Sequence, residues 1–343
     1  MDDDSAAADG VVGAIEDGAT EAARSGLDAL ADAPPDVRSD AVRELRQVAD
    51  DRPARFDGLA SALAPLLADE ERSVRLTTAK LFVALADAEP AVVVPAVDPL
   101  ADRLADDGEF YYVRARSAEA LGLVALDSPD EVGSPEILAD LRIGLKFEEP
   151  AVKEKLAKAI ECVALGDPDR LSHQVGRLAE HLGDDGELVR YHLCTALVVV
   201  GAFHPGKLAE AVDPLGDRLG DADPHVRARA AEALGQLARS DATASLPRSA
   251  LDDLAAEADG DSEDEAAAFV AERVAFARAG AADDATEGVT EPGSVGSLDS
   301  IRASTERAVE TMTTPDADGE CPHCGLELPE QGPPMCPRCG APR

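Results

Sequence analysis

Residues 221–235 (DADPHVRARAAEALG) and residues 113–122 (VRARSAEALG) share one pattern of valine, arginine, alanine, glutamate, leucine and glycine. The pattern starts with a valine followed by a basic residue, and this pair occurs six times at intervals of 37 or 39 residues. The pairs are Val37-Arg38, Val74-Arg75, Val113-Arg114, Val152-Lys153, Val189-Arg190 and Val226-Arg227. Apolar side chains recur eight and eleven positions after each valine, which places them on one face of a helix. A period of this size indicates stacked helical-hairpin repeats.

These two stretches resemble HEAT repeats, in particular the short HEAT-like repeats of phycobilisome lyases. The resemblance implies an all-α fold: an α-solenoid of about six or seven hairpins over residues 11–281, right-handed, with second helices lining a concave surface. The resemblance says little about activity, because such repeats serve many unrelated tasks.

The repeat predicts two helices in each unit. We expect the first helices to run from Val11 to the Pro34-Pro35 pair and near 56–68, 91–106, 135–147, 169–183, 207–220 and 247–259. We expect the second helices near 36–50, 71–88, 110–127, 150–166, 186–202, 223–240 and 262–280. The seventh unit contains the acidic run Glu263-Asp264-Glu265 and is predicted to cap the stack.

The regions outside the repeats are polar. Residues 1–10 are acidic and rich in alanine, and we predict that they are disordered. Residues 282–318 are predicted to form a linker that contains a short helix from Ser297 to about Met312. Residues 319–343 contain the one dense chemical motif of the chain.

That motif is Cys321-Pro-His-Cys324-Gly followed by Cys336-Pro-Arg-Cys339-Gly. Two Cys-x-x-Cys knuckles supply four thiolates, the tetrahedral set that zinc prefers in structural sites. The segment resembles a short zinc ribbon, which implies one zinc ion held by Cys321, Cys324, Cys336 and Cys339. A shell of four cysteines leaves no open position for water or substrate, so we predict a structural ion with His323 as a spacer.

The formal net charge is −37, from 69 acidic and 32 basic residues. This composition resembles that of proteins from salt-loving archaea, in which an acidic surface stays hydrated in concentrated salt. The charge counts against a broad phosphate-binding surface, which requires a basic patch. The sequence has no apolar run long enough for a membrane span and starts without a signal peptide, so a cytoplasmic location is expected.

The basic residue after each valine forms one candidate set. Arg38, Arg75, Arg114, Lys153, Arg190 and Arg227 should stack as a ladder, and Asp32, Asp69, Asp184 and Asp221 lie five positions before a valine. We favour an arginine–aspartate ladder that ties adjacent repeats over a phosphate-binding stripe, because the surroundings are acidic.

The aromatic cluster Phe110-Tyr111-Tyr112 either packs in the core or contacts a partner. Cys162 and Cys194 fall at core positions and are predicted to be buried thiols that behave as small apolar groups. The deoxyhypusine hydroxylases, HEAT-like enzymes, bind iron through His-Glu pairs, and this chain has no His-Glu dipeptide.

These observations favour a non-enzymatic scaffold or adaptor that binds a protein partner through the solenoid and the tethered ribbon. No small-molecule substrate and no membrane association are predicted. One alternative is a nucleic-acid or transcription/translation-associated binding protein acting through the ribbon, which the net charge disfavours. A second alternative is an enzyme related to HEAT-like lyases or hydroxylases, which lacks support from any catalytic constellation.

Overall fold

The computed structural model describes residues 2–242, 244–258, 265–281 and 293–314, together with Cys321, Leu328 and Cys336. All regular secondary structure within these residues is helical, as predicted. The chain forms two compact units, residues 1–147 with 158–166 and residues 148–157 with 167–343. The boundary between them falls inside one continuous helix, Pro150–Gly166.

The first unit is a series of helical hairpins. Its helices are α1 (Asp2–Glu16), α2 (Thr20–Ala31), α3 (Pro35–Asp51), α4 (Ala60–Leu63), α5 (Arg72–Ala88), α6 (Pro90–Val93), α7 (Val97–Ala105), α8 (Tyr111–Asp127), α9 (Pro129–Val132), α10 (Pro135–Gly144) and the C-terminal half of α11 (Pro150–Gly166). The N-terminal half of α11 belongs to the second unit. The remaining helices of the second unit are α12 (Val175–Ala179), α13 (Glu187–Phe203), α14 (Val212–Arg218), α15 (Pro224–Leu237), α16 (Arg248–Ala258), α17 (Glu265–Gly280) and α18 (Leu298–Thr313).

The second helices of the repeats are the regular part of the fold. Helices α3, α5, α8, α11 and α13 each contain 17 residues, and their positions confirm the predicted second helices. Each recurring valine lies in the first turn, and Val74, Val113 and Val226 are fully buried. Pro150 and Pro224 open their helices at a position where an N–H group would have no intrahelical acceptor.

Two of the predicted first helices, near 135–147 and 247–259, agree with α10 and α16, whereas those near 56–68 and 91–106 are interrupted by proline. The expected helix near 56–68 is a short α4 followed by a 3₁₀ helix, Ala64–Ala68, and a 3₁₀ helix, Val94–Ala96, separates α6 from α7. Pro65 and Pro95 lie in the first turns of these 3₁₀ helices. Proline cannot donate an amide hydrogen bond and clashes with the preceding turn, so a single α-helix cannot continue through it.

The N-terminus also differs from the prediction. Residues 1–10 were expected to be disordered and one helix was expected to start at Val11, whereas α1 begins at Asp2 and α2 is a separate helix. Ala8, Val11 and Ile15 are buried at helical spacing, which gives α1 an apolar face of its own. Gly18 has a φ of 73°, a left-handed conformation that glycine adopts without strain, and it makes the turn between the two helices.

The glycine that ends the repeated pattern permits close helix packing. In the first unit, a Cβ atom on Gly122 of α8 would lie 2.6 Å from the Cα atom of Ala159 on α11. In the second unit, a Cβ atom on Gly235 of α15 would lie 2.8 Å from the Cα atom of Ala277 on α17. Both distances are shorter than van der Waals contact, so these positions require glycine for the backbones to approach.

Helix α18 occupies the region predicted as a short helix inside a linker. Its start agrees with the prediction, and the Ser297 side chain caps it by accepting a hydrogen bond from the Ser300 amide at 3.3 Å. The helix packs on the second unit, with Ile301 and Ala308 buried. Across the described ranges, no helix combines the length and apolar character needed to span a membrane.

Candidate interaction surface

Ion pairs connect successive repeats in the first unit. Arg38 binds both carboxylate oxygens of Asp69, through Nε at 2.7 Å and Nη2 at 2.9 Å, and also donates to the Ala33 carbonyl. Arg75 binds Glu109 in the same bidentate way at 2.6 and 2.9 Å and donates to the Asp69 carbonyl. Each arginine therefore joins the loop that precedes its own helix to the loop of the next repeat.

The second unit repeats this arrangement. Lys153 donates to Asp184 at 2.6 Å, and Arg190 binds both oxygens of Asp221 at 2.8 Å while it donates to the Asp184 carbonyl. Asp221 also accepts the Asp223 amide at 3.1 Å, so one buried carboxylate fixes a loop and a neighbouring helix together.

Two of these pairs, Arg190–Asp221 and Arg75–Glu109, have pKa shifts that favour the ionised forms of both partners. The hydrogen bonds that Arg190 donates to Asp221 raise the pKa of Arg190 against the opposing effect of burial. Burial alone would raise the pKa of Asp221, but the hydrogen bonds from Arg190 and the Asp223 amide lower it below its ordinary value. Burial likewise acts to raise the pKa of Glu109, and the Arg75 hydrogen bond lowers it overall.

The other two basic residues of the predicted set have different contacts. Arg114 donates to the Leu104 carbonyl at 2.8 Å, and its guanidinium lies 4.5 Å from the centre of the Phe147 ring. Arg227 donates to the carbonyls of Asp221 and Ala222 in its own repeat.

The aromatic cluster lies at the start of α8. Phe110 contacts Tyr111 and Tyr112, with ring centres 4.6 and 5.4 Å apart, and the Arg72 guanidinium covers the Phe110 ring at 4.6 Å. All three rings are half-buried. They pack against one another, and each residue remains partly exposed.

The two cysteines of the repeats are enclosed. Burial raises the pKa of both Cys162 and Cys194 to about 12. Both side chains are therefore neutral thiols near neutral pH, and a neutral thiol is a poor nucleophile.

The predicted zinc ligands are described in part. Cys321 and Cys336, one from each knuckle, are buried in one cluster with Leu328. Cys324 and Cys339 lie outside the described residues. Elsewhere in the described part of the chain, no group of three or more metal-binding side chains is gathered in one place.

A buried polar network, which the sequence analysis did not predict, joins α15 and α17 to the segment 293–314. Arg229 is fully buried and donates to Glu232 at 2.7 Å, and Glu232 also accepts from Arg273 at 3.1 Å. The Arg229 guanidinium reaches α18 as well. Its acceptors there are Thr305 Oγ1 at 2.8 Å, Ser304 Oγ at 3.0 Å and the Ile301 carbonyl at 3.2 Å.

The same network binds the residues before α18. Glu232 accepts the Gly296 amide at 3.0 Å, and the Gln236 side chain donates to the Gly296 carbonyl at 3.3 Å. Arg229, Glu232 and Gln236 follow Val226 by three, six and ten positions. These offsets share one helix face, which we name the second-helix face. In the second unit, α18 lies on this face.

The packing beneath α18 is incomplete. A cavity of about 200 Å³ separates its C-terminal half from α17 and is lined by His225, Phe269 and Glu272 together with Ser304 and Thr311 of α18. The helix is thus held closely at its start and loosely towards its end.

Comparison with known proteins supports the fold assignment. A sequence model of HEAT repeats matches residues 175–268. Among curated proteins, no significant match exists. A designed armadillo repeat protein aligns with 19% identity and a TM-score of 0.53, over 62% of this chain and 98% of its own. A second, in complex with the peptide (KR)4, aligns with 20% identity and a TM-score of 0.54, over 61% of this chain and 97% of its own.

An engineered protein of known structure gives a similar result, with 20% identity and a TM-score of 0.51 over 64% of this chain and 97% of its own. Identities at this level report on fold alone. They confirm the predicted α-solenoid: the part of the chain that the structure describes is an all-helical repeat solenoid whose repeats are similar to those of HEAT and armadillo proteins.

Proposed function

We propose that this protein is a non-enzymatic scaffold that holds a segment of a protein partner against the second-helix face. One observation carries the proposal: in the second unit this face already holds a polypeptide segment, residues 293–314, through side-chain and backbone hydrogen bonds. A surface that satisfies the backbone groups of its own chain has the chemistry to do the same for a partner.

The structural neighbours support the proposal. Repeat solenoids of this type are typical of protein-interaction scaffolds, and one aligned armadillo protein is bound to a peptide. Nucleic acid is a less favourable partner, because a net charge of −37 opposes binding to a phosphate backbone.

The tail supplies a second element of the proposed scaffold. Cys321, Cys324, Cys336 and Cys339 would hold one structural zinc ion, and the folded ribbon would add a second contact to the partner. The spacing of the four thiols supports this assignment, as does the burial of Cys321 and Cys336 beside Leu328. Two linked contacts raise the effective concentration of each module at its own site. Cysteines that bind zinc suit a reducing compartment, which supports a cytoplasmic location.

Affinity capture with matched surface variants tests the proposal. Thr77 and Ala84 occupy the second-helix face of α5, at the offsets of Arg229 and Gln236, and both are half-exposed. The variant Thr77→Arg/Ala84→Arg should lose the captured partner, since two long cations would fill the face. The control Asp102→Arg, at an exposed site on α7, should retain it.

Capture is best performed at about 1 M salt, where the Debye length is about 3 Å and non-specific ionic contacts are weak. Melting curves of all variants establish that the repeats remain folded. A partner that binds the double variant and the wild type equally would contradict the proposal. Co-purification of nucleic acid that survives the salt wash would favour the alternative function.

A further inference from the structure

Helix α18 is attached to the second unit mainly by polar contacts. The face beneath it presents Arg229, Glu232 and Gln236, and all three bond directly to the segment 293–314. The segment contributes few apolar groups in return, with Ile301 and Ala308 as its buried apolar side chains. The repeat seams, in contrast, are built mainly from leucine, valine and alanine.

Docking of α18 completes the burial of the Arg229 guanidinium, which donates to Ser304 and Thr305. Arg229 and Arg273 both pair with Glu232, and Arg273 also lies 3.6 Å from the exposed carboxylate of Glu272. Burial acts to lower the pKa of both arginines and prevails at Arg273, whereas Tyr191 and Glu232 raise the pKa of Arg229 overall. Removing α18 would return the Arg229 guanidinium to water and recover part of its hydration, which makes the docking reversible. The cavity of about 200 Å³ beneath the second half of α18 removes further packing contacts from the docked state.

The face selects its occupant through one glycine. Gly296 has a φ of 89°, and a Cβ atom at this position would lie 2.6 Å from the Phe276 ring. Its amide and its carbonyl are both bound, by Glu232 and Gln236. An occupant therefore needs glycine at this point, a serine cap next to it, an apolar residue at the position of Ile301, and hydroxyl groups at those of Ser304 and Thr305.

We propose that the surface formed by α13, α15 and α17 is a docking site for a partner helix that begins with Gly-Ser and carries the apolar and hydroxyl residues described above. Helix α18 is the resident occupant of this site, and the partner helix displaces it. The proposal rests on the proposed function and adds to it the chemistry of the partner and an intramolecular competitor. The exchange involves breaking and remaking hydrogen bonds only.

A labelled synthetic peptide of residues 293–314 serves as the probe, titrated into the full chain. In the wild type, α18 competes with the probe. The variant Gly296→Ala should release α18 and bind the wild-type peptide at least about tenfold more tightly than the wild-type protein does, because the competitor is removed. The matched control is Gly293→Ala, which also has a positive φ of 81° but has no atom within 4 Å of the added Cβ. This control should bind the peptide as the wild type does.

Hydrogen exchange on the same proteins supplies the second readout. We expect residues 298–313 to exchange faster than α13 and α15 in the wild type, and to lose protection in Gly296→Ala while α13 and α15 keep theirs. The proposal is overturned if α18 in the wild type is as well protected as α15, or if α15 loses protection together with α18 in Gly296→Ala. It is also overturned if Gly296→Ala shows no gain in affinity for the peptide. If the peptide fails but the Thr77→Arg/Ala84→Arg variant still loses its captured partner, the proposed function stands and only this inference falls.

Discussion

Removing one carboxylate should show how strongly the inter-repeat ion pairs stabilise the solenoid. Asp221 accepts two hydrogen bonds at 2.8 Å from Arg190, and the side-chain exposures of Asp221 and Arg190 are 1% and 11%. Breaking a buried pair by removing one partner costs about 3–5 kcal/mol, because the other charge stays buried. Arg190 keeps its bonds to the carbonyls of Asp184 and Asp185, so we expect the lower end, about 3 kcal/mol, for Asp221→Leu.

The reciprocal change should cost less. In Arg190→Met, Asp221 still accepts from Arg218 at 3.1 Å and from the Asp223 amide, so we expect about 2 kcal/mol. The double variant removes both charges, so neither charge stays buried without its partner. Its loss of stability should be smaller than the sum of the two single losses by about 1–3 kcal/mol. The exposed pair Arg278–Asp252, with side chains 55% and 64% exposed, is the control, and Asp252→Leu should change stability by no more than about 0.5 kcal/mol.

Urea denaturation is the appropriate assay, since urea is uncharged and leaves the ion pairs unscreened. Solenoids can unfold repeat by repeat, so hydrogen exchange in α13 and α15 should show whether these helices are the ones that lose stability. Additive single effects, or losses below about 0.5 kcal/mol in both single variants, would refute the reasoning.

Three further predictions follow from the same contacts. The folded-state pKa of Asp221 is depressed, so its contribution to stability is fully present above its ordinary pKa and is lost as the pH falls through the folded-state pKa. In urea melts, the wild type should therefore lose stability on acidification more steeply than Asp221→Asn does. Equal slopes would contradict this. Gly122→Ala should destabilise the first unit by about 1–2 kcal/mol in thermal melts, because the cost of overpacking against Ala159 exceeds the gain in helix propensity. Gly13→Ala in α1 is the control, since open space surrounds Gly13, and it should be neutral or stabilising by up to about 1 kcal/mol. A strong chelator should release about one zinc ion per chain, measured by metal analysis, and leave the helical circular dichroism of the repeats unchanged; loss of all helicity would show that the tail is part of the solenoid core.

The second helices were predictable because each repeat encodes its own apolar face. Val113 and Val226 head the same pattern, and local spacing alone determines which side chains are buried. The first helices near 56–68 and 91–106 were predicted as continuous, but Pro65 and Pro95 interrupt these otherwise apolar stretches. The sequence contained that signal, and the 3₁₀ helices are its physical consequence.

The pairing of Arg75 with Glu109 was hidden by a change in repeat length. The aspartates Asp69, Asp184 and Asp221 lie five positions before a valine, whereas Glu109 lies four positions before Val113 in a loop that is two residues longer. Glu109 therefore does not share the fixed offset of the aspartates, although its carboxylate binds Arg75 as Asp69 binds Arg38.

The contact between Arg229 and α18 could not be predicted from periodicity. Arg229 is 72 positions from Ile301, and a repeat pattern carries information only about neighbours within the stack. Nor does the pair of charges mark the contact in the sequence, because Arg116 and Glu119 stand at the same offsets after Val113. Only the structure distinguishes the pair that bonds to α18.

The central claim is that the second-helix face holds a polypeptide segment. Hydrogen exchange of the full chain with and without its captured partner tests this claim most directly. We predict added protection, or exchange of α18 for the partner, at the second helices, with the first helices unchanged. Protection confined to the first helices or to the tail would contradict the claim.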